Sequence, residues 1–400
     1  MKAVILAAGE GSRMRPLTFT RPKVMLPIAG KPILEHLLLE VSAADITEFI
    51  LVVGYRDEQV RSYFADGARW GLKISYCQQT RQLGTAHALK QLEKQLQADF
   101  LVMNGDILAK SADIAALAAS SETTLGVFEA SDPRRLGVLE TDGSRVKRIH
   151  EKSANPPTNL ANAGLYFFTP RIFAAINNTP LSLRGEYEIT SSIQVLIDSG
   201  LAVGYRPLTY WQDVSYPWDL LDLNASMLKS LSQRICGQVE ENAVIRGAVE
   251  IGEGSRVRSG AYLEGPVIIG KNCDIGPNCY IRPATSIGDN CRVGASVEIK
   301  NSIIMDNTNI PHLNYVGDSV IGQNCNLGAG TKLANLRFDG ADITAGGVNT
   351  RRRKLGAVLG DGVETGINVS LNPGVLIGAG SRIGPGAVVS GVIEPNSYIG

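Results

Sequence analysis

The sequence predicts an α/β chain in two parts: a mostly parallel, mixed sheet with intervening helices over residues 1–230, then a parallel β-helix over 235–400. Three observations carry this. Up to about residue 230, short apolar runs alternate with amphipathic stretches. From about 235, aliphatic side chains recur at every sixth residue. And 400 residues suffice for two or three hydrophobic cores.

In the first part, "AVILAA", "EFILVVGY", "KISYCQQ" and "DFLVMNGD" read as strands, and "KPILEHLLLEVSAADI" and "TAHALKQLEKQL" as helices between them. Strands this apolar suit a sheet covered on both faces. Ligands of such sheets gather at the carboxyl ends of the strands. A Gly-rich loop follows the first strand there, where backbone N–H groups can meet phosphates. It is not a dinucleotide fingerprint, because Met14 stands where G-x-G-x-x-G needs its third glycine. Nor is it a P-loop, because it lacks G-K-[ST].

In the second part, Ile251, Val257, Leu263, Ile269, Ile275, Ile281, Ile287, Val293 and Ile299 keep one six-residue register, and Leu371, Ile377, Ile383 and Val389 keep it again. Each unit supplies one short strand and a turn, with the aliphatic side chain pointing inward. Gly and Asn serve the turns because they tolerate positive φ. The step drops to five between Ile299 and Ile304 and between Val316 and Ile321. "NIPHLNYVGDSVIG" (309–322) lies at this slip and holds His312, one of four histidines. Arg282, Glu298, Lys300, Tyr315, Asn326 and Asn335 collect around it. The expectation is that the missing residue tightens one edge and aims His312 and Tyr315 at a substrate.

Cys273, Cys279, Cys291 and Cys325 each precede a core aliphatic by two residues, so small packed side chains are expected rather than disulfides or metal ligands. Acidic and basic residues balance at 39 each, which implies no general attraction to nucleic acid or acidic membranes. The opening residues read as a buried strand rather than a leader, and no apolar run approaches the ~18 residues that span a bilayer. A cytoplasmic protein is expected.

"LAAGEGSRMRPLTFTRPKVMLPIAGKPI" resembles the sugar-1-phosphate nucleotidylyltransferases, whose pattern is roughly L-A-A-G-x-G-T/S-R-[LM]…P-K. "QLGTAHAL" (82–89), "NGDI" (104–107), "EKS" (151–153), "NAGLYFF" (162–168), "RGEYEIT" (184–190) and "WQDV" (211–214) extend the resemblance over about the first 230 residues. It implies a Rossmann-like domain in which a sugar phosphate oxygen attacks the α-phosphorus of a nucleoside triphosphate and pyrophosphate leaves. Such a transfer runs on positioning and charge neutralisation. The resemblance makes Arg13 and Lys23 the catalytic clamp on the phosphates, and Asp106 and Asp213 the ligands of Mg2+, a hard cation suited to carboxylates and water. It puts Leu6, Ala8, Gly9, Gln79, Gly84 and Thr85 around the nucleotide, and Gly137, Glu151, Lys152, Asn162 and Glu186 around the sugar phosphate. UTP is the expected triphosphate, with dTTP a second, since one methyl group separates the bases by only roughly 10–200-fold in binding.

The repeat resembles the left-handed β-helix family, with three hexapeptides per coil, whose members commonly form trimers. Its polar set resembles the acetyltransferase half of the bifunctional uridylyltransferase/glucosamine-1-phosphate acetyltransferases and of archaeal sugar-1-phosphate nucleotidylyl/acetyltransferases. The pattern R-x-R-P, E-x-K-x, G-H-L-x-Y-x-G-D, N-I-G-A-G-T and a later Asn is met in order, although "YIRP" keeps only Arg282, Pro311 replaces a Gly, and an insert at 336–354 departs from the bacterial form. The resemblance implies acetyl-CoA as co-substrate and an amino-sugar 1-phosphate as acceptor. An ammonium cannot attack a thioester until deprotonated, and a histidine titrates in the right range to take that proton. His312 is the implied base, its tautomer fixed by Glu298 or Asn335. Tyr315 or a backbone N–H would hold the oxyanion, and Arg282 and Lys300 the 1-phosphate. Asn326 and Asn335 complete the substrate set, with Lys354 a minor candidate, and residues 351–354 read as a solvated loop. The partners expected are small-molecule substrates and two further copies of the chain, with no nucleic acid or membrane. The alternative is a single nucleotidylyltransferase on a scaffold solenoid.

Overall fold

A computed structural model describes residues 1–182 and 184–400. The chain forms two compact units, Met1–Glu10 with Ile33–Asp213, and Gly11–Pro32 with Val214–Gly400. Compactness therefore divides the Gly-rich loop at Gly11 and groups Gly11–Pro32, and the chain from 214 to 230, with the solenoid.

The first unit is built on a nine-stranded mixed sheet. The four apolar runs form its parallel half, in the order Lys73–Gln78, Glu48–Val53, Lys2–Ala7, Phe100–Asn104. Leu160–Phe168 joins Phe100–Asn104 antiparallel, and Thr124–Glu129, Gly204–Pro207, Arg145–Glu151 and Gly137–Asp142 follow. Gly204–Pro207 is parallel to Thr124–Glu129, while the remaining pairings of this half are antiparallel. Val4, Val52, Val102, Leu125 and Phe168 bury one face against Leu89, Ile172 and Ile193 of the helices Thr85–Lys90, Ile172–Asn177 and Ile189–Asp198. The first expected helix is Ile33–Ser42. The second stops at Lys90, and its remaining residues tighten into a short 3-10 turn, Glu93–Gln95. In register, Leu6 lies between Val52 and Asn104, so the strand ends form one rim.

The second unit is a parallel β-helix of three sheets, with nine, nine and eight strands. Each sheet stacks one inward column of aliphatics. In the first, Ile251, Ile269, Ile287, Ile304, Ile321, Leu359 and Ile377 succeed one another in register, all buried. Each such side chain is worth roughly 1.5–3 kcal/mol when buried. Asn272, Asn290, Asn307 and Asn324 take positive φ at successive corners, as the turn chemistry requires. The four repeat cysteines are buried and free, as expected.

The coil length varies. Tyr262 stacks on Tyr280, and Tyr280 on Glu298, eighteen residues on. Glu298 stacks on Tyr315, and Tyr315 on Lys332, seventeen on. Lys332 then pairs with Ser370, because residues 336–354 leave the coil. This insert forms a hairpin of Thr344–Ala345 and Val348–Asn349, closed by a bridge between Leu336 and Lys354.

Candidate active sites

At the strand-end rim of the first unit, the Ala8 carbonyl accepts from Tyr55 N–H (3.2 Å) and from the Gln82 side chain (2.8 Å), which fixes the exit of the first strand. Gly9 follows, and a Cβ added there would meet nothing within 4 Å, so backbone is presented to open space. Gly84 has φ of +103°, and a Cβ on it would come within 2.4 Å of the Tyr187 carbonyl; only glycine lets these two segments pair. Buried Gln79 donates its amide N–H to the Gly84 carbonyl (3.1 Å) and lies 3.4 Å from the His87 ring. Only its amide nitrogen is engaged in these contacts. Thr85 has a structural duty: its hydroxyl accepts from Ile189 N–H (2.9 Å) at the start of the helix Ile189–Asp198.

Among the sugar-phosphate candidates, Gly137 and Glu151 lie directly opposite each other in the Gly137–Asp142/Arg145–Glu151 ladder. A Cβ on Gly137 would stand 2.9 Å from the Glu151 carboxylate. Lys152 follows with φ of +49° and donates its N–H to the Leu136 carbonyl (3.0 Å). Asn162 is tied into a break in strand register, donating to the Tyr166 hydroxyl (2.7 Å) and accepting from Gly164 N–H (3.1 Å). Glu186 accepts from Ser182 N–H through its carbonyl (2.9 Å).

Asp213 closes the strand Trp211–Asp213, which pairs antiparallel with Ile107–Ala109, and its partner is Ile107. Asp106 precedes Ile107, so the two carboxylate residues occupy neighbouring places on one ribbon. Two carboxylates fit magnesium, which keeps waters and substrate phosphates in its other positions. No group of three or more His, Cys, Asp or Glu able to hold a metal occurs among the described residues.

Arg13 and Lys23 lie on Gly11–Pro32, in the second unit. Arg13 is exposed, its guanidinium 5.9 Å from the centre of the Tyr216 ring. Lys23 is buried and packs on Gly11, where a Cβ would stand 2.8 Å from that of Lys23.

On the solenoid, Arg282, Lys300 and Gly317 follow one another in adjacent coils of the eight-stranded sheet. Arg282 pairs with Glu298 (2.9 Å) and Lys300 with Asp318 (3.2 Å). Asp318 is 5% exposed and also accepts from Asn301 (2.8 Å) and, in a very short contact, from Asn335. Asn335 donates in addition to the Tyr315 hydroxyl (3.2 Å). Gly317 makes room for this: a Cβ would stand 2.6 Å from the Tyr315 hydroxyl and 2.7 Å from the Asn335 amide. Lys300, Tyr315 and Asn335 are thus one network centred on Asp318.

Three expectations are corrected. The five-residue steps fall at the corners holding Asn301–Ser302 and Asp318–Ser319, between the eight-stranded sheet and the next; the turn bearing His312, between Ile310 and Val316, keeps its full six. The shortened corners therefore set Asn301 and Asp318, both at positive φ, rather than His312. Second, Glu298 and Asn335 are engaged by Arg282 and by Tyr315 with Asp318, so neither bonds to His312 among the described residues. Third, Asn326 is on a different sheet, between Asn309 and Glu364, and is not brought to the network. His312 itself is exposed, its carbonyl accepting from Gly330 N–H (3.0 Å), and Leu313 beside it is 60% exposed.

Asp318 and Asn301 were not among the expected site residues. Their signal was the shortened step itself, whose two corners hold them at positive φ. The run 351–354 is also not simply solvated. Arg352 pairs with Asp222 (2.5 Å) and donates to the Trp218 carbonyl (3.4 Å). With Asp318, Asp222 and Leu336, the four basic residues line a cavity of about 540 Å3.

Two family models match the chain: the nucleotidyl transferase family over residues 2–230, and the GMPPB C-terminal domain over 263–376. A "Bifunctional protein GlmU" of Methanococcus maripaludis is 45% identical, covering all of this chain and 97% of the relative. A "Bifunctional sugar-1-phosphate nucleotidylyltransferase/acetyltransferase" of Sulfurisphaera tokodaii is 40% identical over 98% of this chain and 97% of its own length. A solved structure of a putative glucose-1-phosphate thymidylyltransferase from Bacillus anthracis, in complex with a sucrose, matches with a TM-score of 0.52 and 27% identity. It covers 56% of this chain and 94% of that one.

Proposed function

The chain belongs to the family of bifunctional sugar-1-phosphate nucleotidylyltransferase/acetyltransferases, and on that premise we propose that it acetylates glucosamine 1-phosphate with acetyl-CoA and couples the product to UTP. The observation that carries the acetyltransferase half is the Asp318 network, a buried polar cluster on an otherwise repetitive scaffold. A scaffold solenoid has no use for a lysine and two asparagines converging on one buried carboxylate, with a tyrosine held by one of the asparagines, since buried polar clusters cost stability unless fully satisfied.

His312, exposed on the turn that leads into the strand of Tyr315, takes the proton from the acceptor's ammonium. The freed amine adds to the thioester carbonyl, the tetrahedral oxyanion is held by the Tyr315 hydroxyl, and the C–S bond breaks to release CoA thiol and the N-acetyl sugar phosphate. Arg282 and Lys300, each held by a carboxylate, receive the acceptor's phosphate. In the nucleotidylyl half, Arg13 and Lys23 bind the triphosphate, and Gln79 reads the base. Gly137, Glu151, Lys152, Asn162 and Glu186 hold the sugar phosphate. Asp106 and Asp213 would hold magnesium, which would supply positive charge to the triphosphate. We take residues 1–230 as the nucleotidylyltransferase domain and 235–400 as the acetyltransferase domain.

The resemblance to left-handed β-helix proteins implies a homotrimer built through the solenoid. No helix among the described residues is long and apolar enough to cross a membrane, which accords with a cytoplasmic enzyme. The test is one preparation and two readouts. With acetyl-CoA and glucosamine 1-phosphate, free thiol should appear; UTP and magnesium should then yield pyrophosphate. Pyrophosphate from N-acetylglucosamine 1-phosphate without any thiol release would leave only a nucleotidylyltransferase on a scaffold.

A further inference from the structure

We propose that Asp361, a solenoid residue, is a positioning residue for nucleotidylyl transfer. Through Arg21 it fixes the loop that carries Arg13 and Lys23. The proposal rests on the assignment of those two residues to the triphosphate.

Arg21 and Asp361 form a buried ion pair at 2.7 Å, with side chains 10% and 8% exposed. The same carboxylate oxygen, Oδ2, accepts from the Thr20 hydroxyl (2.6 Å), and Oδ1 accepts from Gln323 N–H in the preceding coil (2.9 Å). Arg21 has no other hydrogen-bond partner among the described residues, and its Nε–H is buried and unpaired. Asp361 is thus its one hydrogen-bonded carboxylate, with the Asp306 carboxyl near enough to interact with its charge. A buried guanidinium hydrogen-bonded to a carboxylate is held hard, because leaving either charge alone in a low dielectric is costly.

The segment from Arg21 back to Gly11 is stiff. Lys23, two residues on, opens a 3-10 turn and packs on Gly11, while the Thr18 hydroxyl donates to the Gly11 carbonyl (2.9 Å). Moving Arg21 therefore moves Lys23 and the base of the Arg13 turn with it. The far end of the loop has its own clasp. Asn224, fully buried, accepts from Ala29 N–H (2.9 Å) and the Ser286 hydroxyl (2.7 Å), and donates to the Ala284 carbonyl (2.9 Å). Two buried polar attachments on one loop point to a fixed geometry for the cations it carries. The repeat uses only one oxygen of Asp361: Oδ1 accepts from the preceding coil, as those of Asp289 and Asp306 do, while Oδ2 is given to Thr20 and Arg21 of the loop.

The test uses the full chain and the variants D361N, R21Q, D361N/R21Q and R21K, with R13A as a reference. The double variant removes both charges, so no lone charge stays buried. Thiol release should stay within about twofold of wild type in all of them, while kcat for pyrophosphate release falls about tenfold or more, the scale expected for a displaced phosphate clamp. KM for the sugar 1-phosphate should hold, R21K should recover part of kcat, and the double variant should be no worse than either single. Pyrophosphate release within twofold of wild type in D361N and in the double variant, with R13A impaired, overturns the proposal. So does parallel loss of both activities in the double variant, which would mark the pair as merely structural. R13A with full activity would instead sink the assignment beneath it.

Discussion

At the scale of single residues, the solenoid site is organised by a group that performs no bond-making itself. Asp318 neutralises Lys300 and holds Asn335, which in turn bonds Tyr315. Asp318→Asn keeps the shape but removes the charge, so we expect thiol release to fall roughly 10–100-fold, with pyrophosphate release unchanged. A variant with full thiol release would show that the network is only structural. The cysteines give a prediction of the opposite kind. Burial pushes the Cys279 and Cys325 thiols up to about 12, while Cys236 is exposed. A thiol reagent at pH 8 should therefore label Cys236 at once and the buried four only on unfolding. Because these folded values lie above that of a free thiol, their contribution to stability is complete below about pH 8.5. It is lost as the pH climbs toward 12, so Tm should fall between pH 9 and 11, measured against Cys→Ser controls.

At the scale of elements, two shortened corners within the solenoid coincide with the polar network, whereas the sixteen-residue coils at its two ends carry none of it. Eighteen-residue coils build plain scaffold; the two seventeen-residue steps bring Asn301 and Asp318 to successive tight corners. Adding one glycine between Asn301 and Ser302 restores the six-residue step. It should disconnect Lys300 from Asp318 and abolish thiol release, while the circular dichroism spectrum stays that of a β-helix, since solenoids absorb local irregularity. Retained thiol release would mean that the shortened corner is incidental. The six-residue beat was legible because an inward side chain must be aliphatic in every coil. Spacing also put the two shortened steps at 299–304 and 316–321, outside the step that holds His312. What spacing could not show is which side chains the shortened corners bring together, because Asn301, Asp318 and Asn335 meet only through the stacking of coils.

At the scale of the whole chain, two chemistries with separate residues should separate by mutation. His312→Ala should lose thiol release and keep pyrophosphate release from N-acetylglucosamine 1-phosphate; Asp106→Asn should do the reverse. An equal mixture of the two should again turn glucosamine 1-phosphate into nucleotide sugar, because the intermediate is a small, diffusible ester. Failure of the mixture would mean that the intermediate passes within one molecule. The sequence by itself determined the two fold types, the strand-end rim and the identities of the residues on it, since apolar period, turn residues and local motifs are properties of contiguous chain. Only the tertiary structure decided which groups meet. Arg21 and Asp361 are 340 residues apart and pair through one buried carboxylate, and Asn224 ties Ala29 to Ser286. Such pairings are made where burial leaves a polar group no water to turn to, and no period in the sequence records where that happens.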